Sequence, residues 1–71
     1  MEKTLKKLGK YLVEQGFTPE HITEVFKQSD EYYEPIMFID DKLEKAIADF
    51  CSVEGIEFTE FLGTFKAEDL F

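Results

Sequence analysis

The sequence has no tryptophan, one cysteine, one histidine, and no apolar run long enough to cross a membrane. Each scarcity removes a class of protein. Cys51 stands alone, so no intrachain disulfide can form, and a chain this small without disulfides is expected in a reducing compartment, by default the cytoplasm. Leu5, Leu8 and Leu12 are separated by polar residues, so the N-terminal lysines are not followed by the apolar core of a signal peptide. Nothing approaches the roughly 20 residues of a membrane helix. His21 falls in the first turn of a predicted helix, where an exposed surface group is a better reading than a general base. Cys51 has no basic neighbour in sequence to lower its pKa, and it reads as a small buried or half-buried side chain. No nucleophile, base or oxyanion donor assembles, so the expectation is a non-enzymatic protein without cofactor or metal.

What the chain has is aromatic and acidic. Seventy-one residues make one domain, which buries only roughly 60% of the surface of its unfolded form. Eight phenylalanines and three tyrosines compensate, because each large ring removes roughly 150–250 Å² from water. The net charge is −8, unevenly spread. Residues 1–10 carry Lys3, Lys6, Lys7 and Lys10 against Glu2, a net +3, whereas residues 11–71 carry four lysines against fifteen acids, a net −11. Such a body repels phosphate backbones and acidic membranes and favours basic partners, so direct nucleic-acid binding is disfavoured.

The apolar spacing predicts an all-α bundle of three longer helices and a shorter C-terminal one, over approximately 2–15, 19–28, 35–54 and 57–65. Met1, Leu5, Leu8 and Leu12 form one stripe of the first helix, with Lys3, Lys6, Lys7 and Lys10 opposite. Those lysines face either the protein's own acidic surface or an anionic partner, and the first is the ordinary behaviour of a charged helix face. Gly16 can end this helix in a left-handed conformation, Thr18 can cap the next, and Pro19 suits its first position. Phe17 and Ile22 occupy the places of a hydrophobic staple. Ile22, Val25 and Phe26 turn inward, and two helices joined so tightly are expected to pair in antiparallel or steeply crossed fashion. Ile36, Ile39, Leu43, Ala46, Phe50 and Val53, with Ile47 beside them, give a seam that favours one helix from Pro35 to about Glu54. The rival reading makes Ile36 to Ile39 a short extended segment and starts the helix at an N-cap on Asp40 or Asp41. Gly55 is the stop in both. Phe58, Phe61, Leu62 and Phe65 share the last helical face, and 66–71 reads as a flexible tail.

Two calcium and carrier readings fail on spacing. Asp30, Glu31, Glu34, Asp40 and Asp41 are too irregular for an EF-hand loop, since Pro35 stands where a loop begun at Asp30 needs glycine. The Asp-Ser-Leu attachment site of acyl carrier proteins, which share this size and acidity, is absent.

The stretch from Ser29 to Asp41 is the expected contact region. Tyr32, Tyr33, Met37 and Phe38 lie off the predicted seam, ringed by Asp30, Glu31, Glu34, Asp40 and Asp41. Either they form an exposed aromatic-methionine patch with an acidic rim, or the first or last helix covers Met37 and Phe38. Tyrosine and methionine are enriched at interfaces, and an acidic rim speeds the capture of a basic partner. Tyr32, Tyr33 and Pro35 resemble the tyrosine pair and proline of DNase-colicin immunity proteins, small acidic four-helix inhibitors, although here Glu34 intervenes. The resemblance implies a strategy of inhibition by capture, one suited also to a phage-encoded inhibitor of a host nucleic-acid-binding protein.

Two further resemblances set the alternatives. Residues 8–22 are similar to the first two helices of helix-turn-helix DNA-binding domains, which implies a DNA-linked transcriptional regulator. Ser29-Asp30-Glu31 then stands where a basic recognition helix should begin. Glu68-Asp69-Leu70-Phe71 resembles the acidic tip of bacterial single-strand-binding proteins, and Asp69, Leu70 and Phe71 match the last three places of the sliding-clamp-binding pentapeptide. Ala67 occupies the place that motif gives to glutamine. Asp69, Leu70 and Phe71 are therefore a secondary candidate contact, unless Leu70 and Phe71 fold back onto the core.

Overall fold

Helix α1, Glu2–Glu14, ends where Gly16 takes a φ of 100°. Helix α2, Pro19–Tyr32, begins three residues later, capped by Thr18, whose hydroxyl accepts a hydrogen bond from the His21 amide at 3.1 Å. Both events are local chemistry, and both fall where the sequence places them. The computed structural model describes residues 2–71, so Met1 of the predicted stripe lies outside the described residues. Helix α3, Asp41–Glu54, and the short α4, Phe58–Leu62, complete an all-α fold, with single 3-10 turns at Ile36–Phe38 and Ala67–Leu70. Among the described residues there is no strand. The radius of gyration is 11.0 Å, about the value expected for a compact chain of this length.

Three helix boundaries differ from the sequence reading. Helix α2 continues past Gln28 through Ser29-Asp30-Glu31 to Tyr32. The predicted single helix over 35–54 is broken: Pro35 is extended, Ile36–Phe38 makes a 3-10 turn, and α3 starts after Asp40. Asp40 is the reason. It adopts an extended backbone, φ −150° and ψ 95°, and its Oδ1 accepts the Leu43 amide at 3.1 Å, which satisfies one of the unpaired donors at the helix start. The last helix stops at Leu62, closed by Gly63, and Phe65 reaches the core from outside it.

The core is built from Leu5, Leu8 and Leu12 of α1, Ile22 and Val25 of α2, Ile36, and Leu43, Ile47, Phe50 and Cys51 of α3, closed by Phe61, Phe65 and Leu70. Val53, the last member of the predicted seam, is 84% exposed. The buried arc of α3 centres between Leu43 and Ile47, and Val53 stands roughly 100° away from that centre at 3.6 residues per turn. Cys51 fills the arc instead. Ala46 and Ile39 are only partly buried. Phe65 stacks in tilted fashion on Phe61 and Phe26, with centroid separations of 4.8 and 5.7 Å.

The expected pairing of α1 with α2 is not the main contact of α1. Its principal neighbours are the C-terminal turn and α3. Gly9, inside α1, is buried, and a Cβ placed on it would lie 2.4 Å from the Leu70 carbonyl oxygen. Only glycine permits the C-terminal turn to come this close. Residues 66–71, read from sequence as a flexible tail, are therefore folded onto the bundle. Asp69 accepts the Lys66 amide at 2.9 Å through its Oδ2, Lys66 O accepts the Asp69 amide at the same distance, and Leu70 is 2% exposed.

Candidate protein-binding surface

The corner between α2 and α3 carries the side chains singled out from the sequence. Helix α2 ends because Tyr33 turns left-handed, at φ 54° and ψ 39°, with its amide directed to the Ser29 carbonyl. The Glu34 amide reaches the same carbonyl at 3.2 Å, and the Ser29 hydroxyl donates to the Glu34 carbonyl at 2.6 Å. These bonds satisfy the helix end in the way a glycine usually permits. No other described non-glycine residue has a positive φ. A tyrosine here costs about 1–2 kcal/mol relative to a relaxed backbone.

The turn leaves its apolar side chains in solvent. Tyr33 is 94% exposed, Phe38 71%, Tyr32 63% and Met37 47%. Ile36, between them, is buried and anchors the segment. Neither α1 nor α4 covers Met37 and Phe38, so of the two readings left open by the sequence the exposed one describes this fold. A chain that can bury so little nevertheless leaves two tyrosines, a phenylalanine and a methionine outside its core, all within seven residues.

The predicted acidic rim separates into two groups. Glu31 and Glu34 are exposed and make no ion pair among the described residues. Asp30 lies 3.8 Å from Lys66, and Asp41 pairs with Lys45 at 3.0 Å within α3, both on exposed surface. Asp40 is different: its side chain is 17% exposed and is engaged twice, by the Leu43 amide and by His21 Nε2. It belongs to the framework rather than to a free rim. Burial alone pushes the Asp40 carboxyl up, but the His21 hydrogen bond, the Leu43 and Lys42 amides and the charge of His21 together outweigh it and hold the group below its ordinary 3.8. His21 also stacks on Phe17 at 6.3 Å, so it ties the start of α2 to the start of α3.

The secondary candidate at the C-terminus splits as well. Leu70 is in the core, Asp69 closes the turn, and Phe71 is 44% exposed. Lys6 Nζ donates to Phe71 O at 3.1 Å, which holds this segment against α1. Leu70 is thus not presented as a binding side chain in this conformation.

Cys51 is buried, and its thiol is pushed up by that burial and further by the charge of Glu57. A thiol held protonated in this way is a poor nucleophile. Among the described residues no group of three or more His, Cys, Asp or Glu side chains is placed to hold a metal, and no helix is long and apolar enough to cross a membrane.

Sequence reasoning missed three residues that shape the fold. Glu57 caps α4 by accepting the Glu60 amide at 2.6 Å, Gly9 admits the C-terminal turn, and Ala67, the first residue of that turn, is buried. Glu57 had a local signal, three residues ahead of the amide it accepts; Gly9 had none, because its partner lies more than sixty residues away. No protein-family model, curated protein or solved structure matches the chain.

Proposed function

We propose that this protein is a non-enzymatic acidic binding module, acting as an inhibitor or mask, that captures a basic surface on another cytoplasmic protein. The observation that carries the reading is Tyr33: a fully exposed aromatic residue held in a backbone conformation that glycine would adopt at lower cost. Strain retained at an exposed aromatic position is the kind kept for binding rather than for folding. Tyr32, Met37 and Phe38 extend the apolar contact, while Glu31 and Glu34 supply free negative charge beside it. Long-range attraction by the anionic body brings a basic partner in, and burial of the aromatic side chains then slows its departure. A nucleic-acid-binding protein, whose own ligand is a polyanion, presents the required basic face.

The reading is tested by immobilising the wild-type protein, Tyr33→Ala and Phe38→Ala, with folding followed by circular dichroism, and presenting native lysate and purified basic nucleic-acid-binding proteins. Wild type is expected to retain a basic protein in a salt-sensitive manner. Each substitution is expected to weaken that retention by about 2 kcal/mol or more, the scale of an interface hot spot. Equal retention by both variants removes the patch. The alternative of a DNA-linked regulator draws no support from α3. That helix mixes Lys42 and Lys45 with Asp41, Glu44, Asp49 and Glu54, and it is reached through an eight-residue connection rather than a tight turn. Duplex binding at low salt that disappears in Lys6→Glu and Lys10→Glu would restore it.

A further inference from the structure

Pro35 and Ile36, which lie between the Tyr33 and Met37 positions, also form part of the wall of a cleft of about 710 Å³. The remaining walls come from α2, from Glu44 of α3 and from the segment that runs from Leu62 to Glu68. Its apolar surface is provided chiefly by Phe26, Ile36, Leu62 and Phe65, each buried or half-buried. A space of this size holds one or two large side chains with a little backbone, well within the range of ordinary ligand pockets.

The charges at its margin are unequal. Asp30, Glu31, Glu44 and Glu68 line the cleft against Lys27 and Lys66. One of those lysines is only loosely held: Lys66 lies 3.8 Å from Asp30, with the two side chains 71% and 78% exposed. Such a surface pair contributes little, so an incoming cation can take the place of Lys66 on Asp30 at small cost. Glu31 and Glu68 are exposed and without ion-pair partners among the described residues.

We propose that the cleft receives a short basic segment of the partner protein, with one large apolar side chain set on the surface formed by Phe26, Ile36, Leu62 and Phe65, and flanking lysines or arginines paired with Asp30, Glu31 and Glu68. The patch and the cleft are then linked through Pro35 and Ile36, which lie in sequence between the patch residues and line the cleft. The patch receives the broad surface of the partner, and the cleft fixes the register of one peptide segment. This inference rests on the reading of the protein as a binder of basic proteins, and it names the chemistry that the face selects: cationic chain bearing an apolar anchor, rather than cationic charge alone.

The test uses a fluorescein-labelled, end-blocked peptide of sequence Arg-Lys-Phe-Arg-Lys, followed by anisotropy and by amide chemical shifts in heteronuclear NMR. Two controls accompany it: the peptide with Ala in place of Phe, and one with Glu at the four basic places. The Phe peptide is expected to bind in a salt-sensitive manner and to shift amides of residues 26–31 and 62–68. Glu31→Lys and Glu68→Lys, both on exposed side chains, are expected to weaken it about tenfold each, whereas Lys66→Glu strengthens it severalfold. Equal binding of the Ala peptide, or indifference to all three charge changes, overturns the proposal. So does the absence of binding at millimolar peptide. The two readings fail separately. Capture of a basic protein that is lost in Tyr33→Ala but untouched by Glu31→Lys and Glu68→Lys removes the cleft and leaves the patch. Peptide binding to the cleft beside protein capture indifferent to Tyr33→Ala and Phe38→Ala removes the patch.

Discussion

The two turns that interrupt this bundle solve the same problem in opposite ways. The C-terminal turn at residues 67–70 presses its backbone onto Gly9 of α1 and buries Leu70 completely. The corner at residues 33–38 buries only Ile36 and holds Tyr33, Met37 and Phe38 outward. One uses a glycine so that two backbones can meet; the other forgoes a glycine where the backbone would welcome it. In a small domain with little surface to spare, the first choice serves stability. The second forfeits some of it and leaves Tyr33, Met37 and Phe38 in solvent.

That contrast can be broken from the C-terminal side first. Leu70→Ala removes a fully buried side chain and is expected to lower stability by about 2–5 kcal/mol, read as a shift in the urea midpoint. An unchanged midpoint would mean that the C-terminal turn does not hold the bundle. Gly9→Ala is next. Helix propensity alone would favour alanine by about 1 kcal/mol, but its Cβ would meet backbone rather than a flexible side chain. The net expectation is a loss of about 1–3 kcal/mol from overpacking. A stabilised Gly9→Ala would show that the turn can move away without cost.

The corner gives smaller effects with more information in their signs. Asp40→Ala removes the cap of α3 and the anchor of His21, and is expected to cost about 0.5–2 kcal/mol at neutral pH. Because the folded Asp40 carboxyl lies below its ordinary 3.8, its contribution is fully present above that value and disappears as pH falls through the lower, folded one. Wild type should therefore lose part of its stability below about pH 4, and Asp40→Ala should lack that part of the acid dependence. Parallel acid profiles would rule out the carboxylate as its source. Tyr33→Gly is the smallest and the most telling. It relieves the left-handed strain but adds freedom to the unfolded chain, for a net gain of about 0.5–1 kcal/mol. If binding is lost while stability rises, the trade between the two is established at a single residue. A loss of stability would instead make Tyr33 part of the fold.

Much of the framework was legible from the sequence because it depends on neighbours a few residues apart. The stripe of Leu5, Leu8 and Leu12, the stop at Gly16, the Thr18 cap with Pro19 after it, and the stop at Gly55 are each local devices, and each stands where the pattern puts it. The error over 35–54 has an instructive cause. Ile36, Ile39 and Leu43 keep helical spacing in sequence, but Asp40 satisfies the α3 amides from an extended conformation, and a cap of that kind outweighs a continuous pattern. Helix α2 runs on to Tyr32 for the complementary reason. Ser29, Asp30 and Glu31 look like loop residues, yet the Ser29 carbonyl and hydroxyl both serve the helix end.

The sequence by itself determined the fold class, the first helix and its junction with the second, and the charge asymmetry, because periodicity, capping and composition act over short distances. Only the tertiary structure decided that Tyr32, Tyr33, Met37 and Phe38 are left in solvent, that Asp40 belongs to the framework, and that the C-terminal segment closes on Gly9. Those outcomes depend on which surfaces meet, and a meeting between Gly9 and Leu70 has no signature at either position until the chain has brought them together.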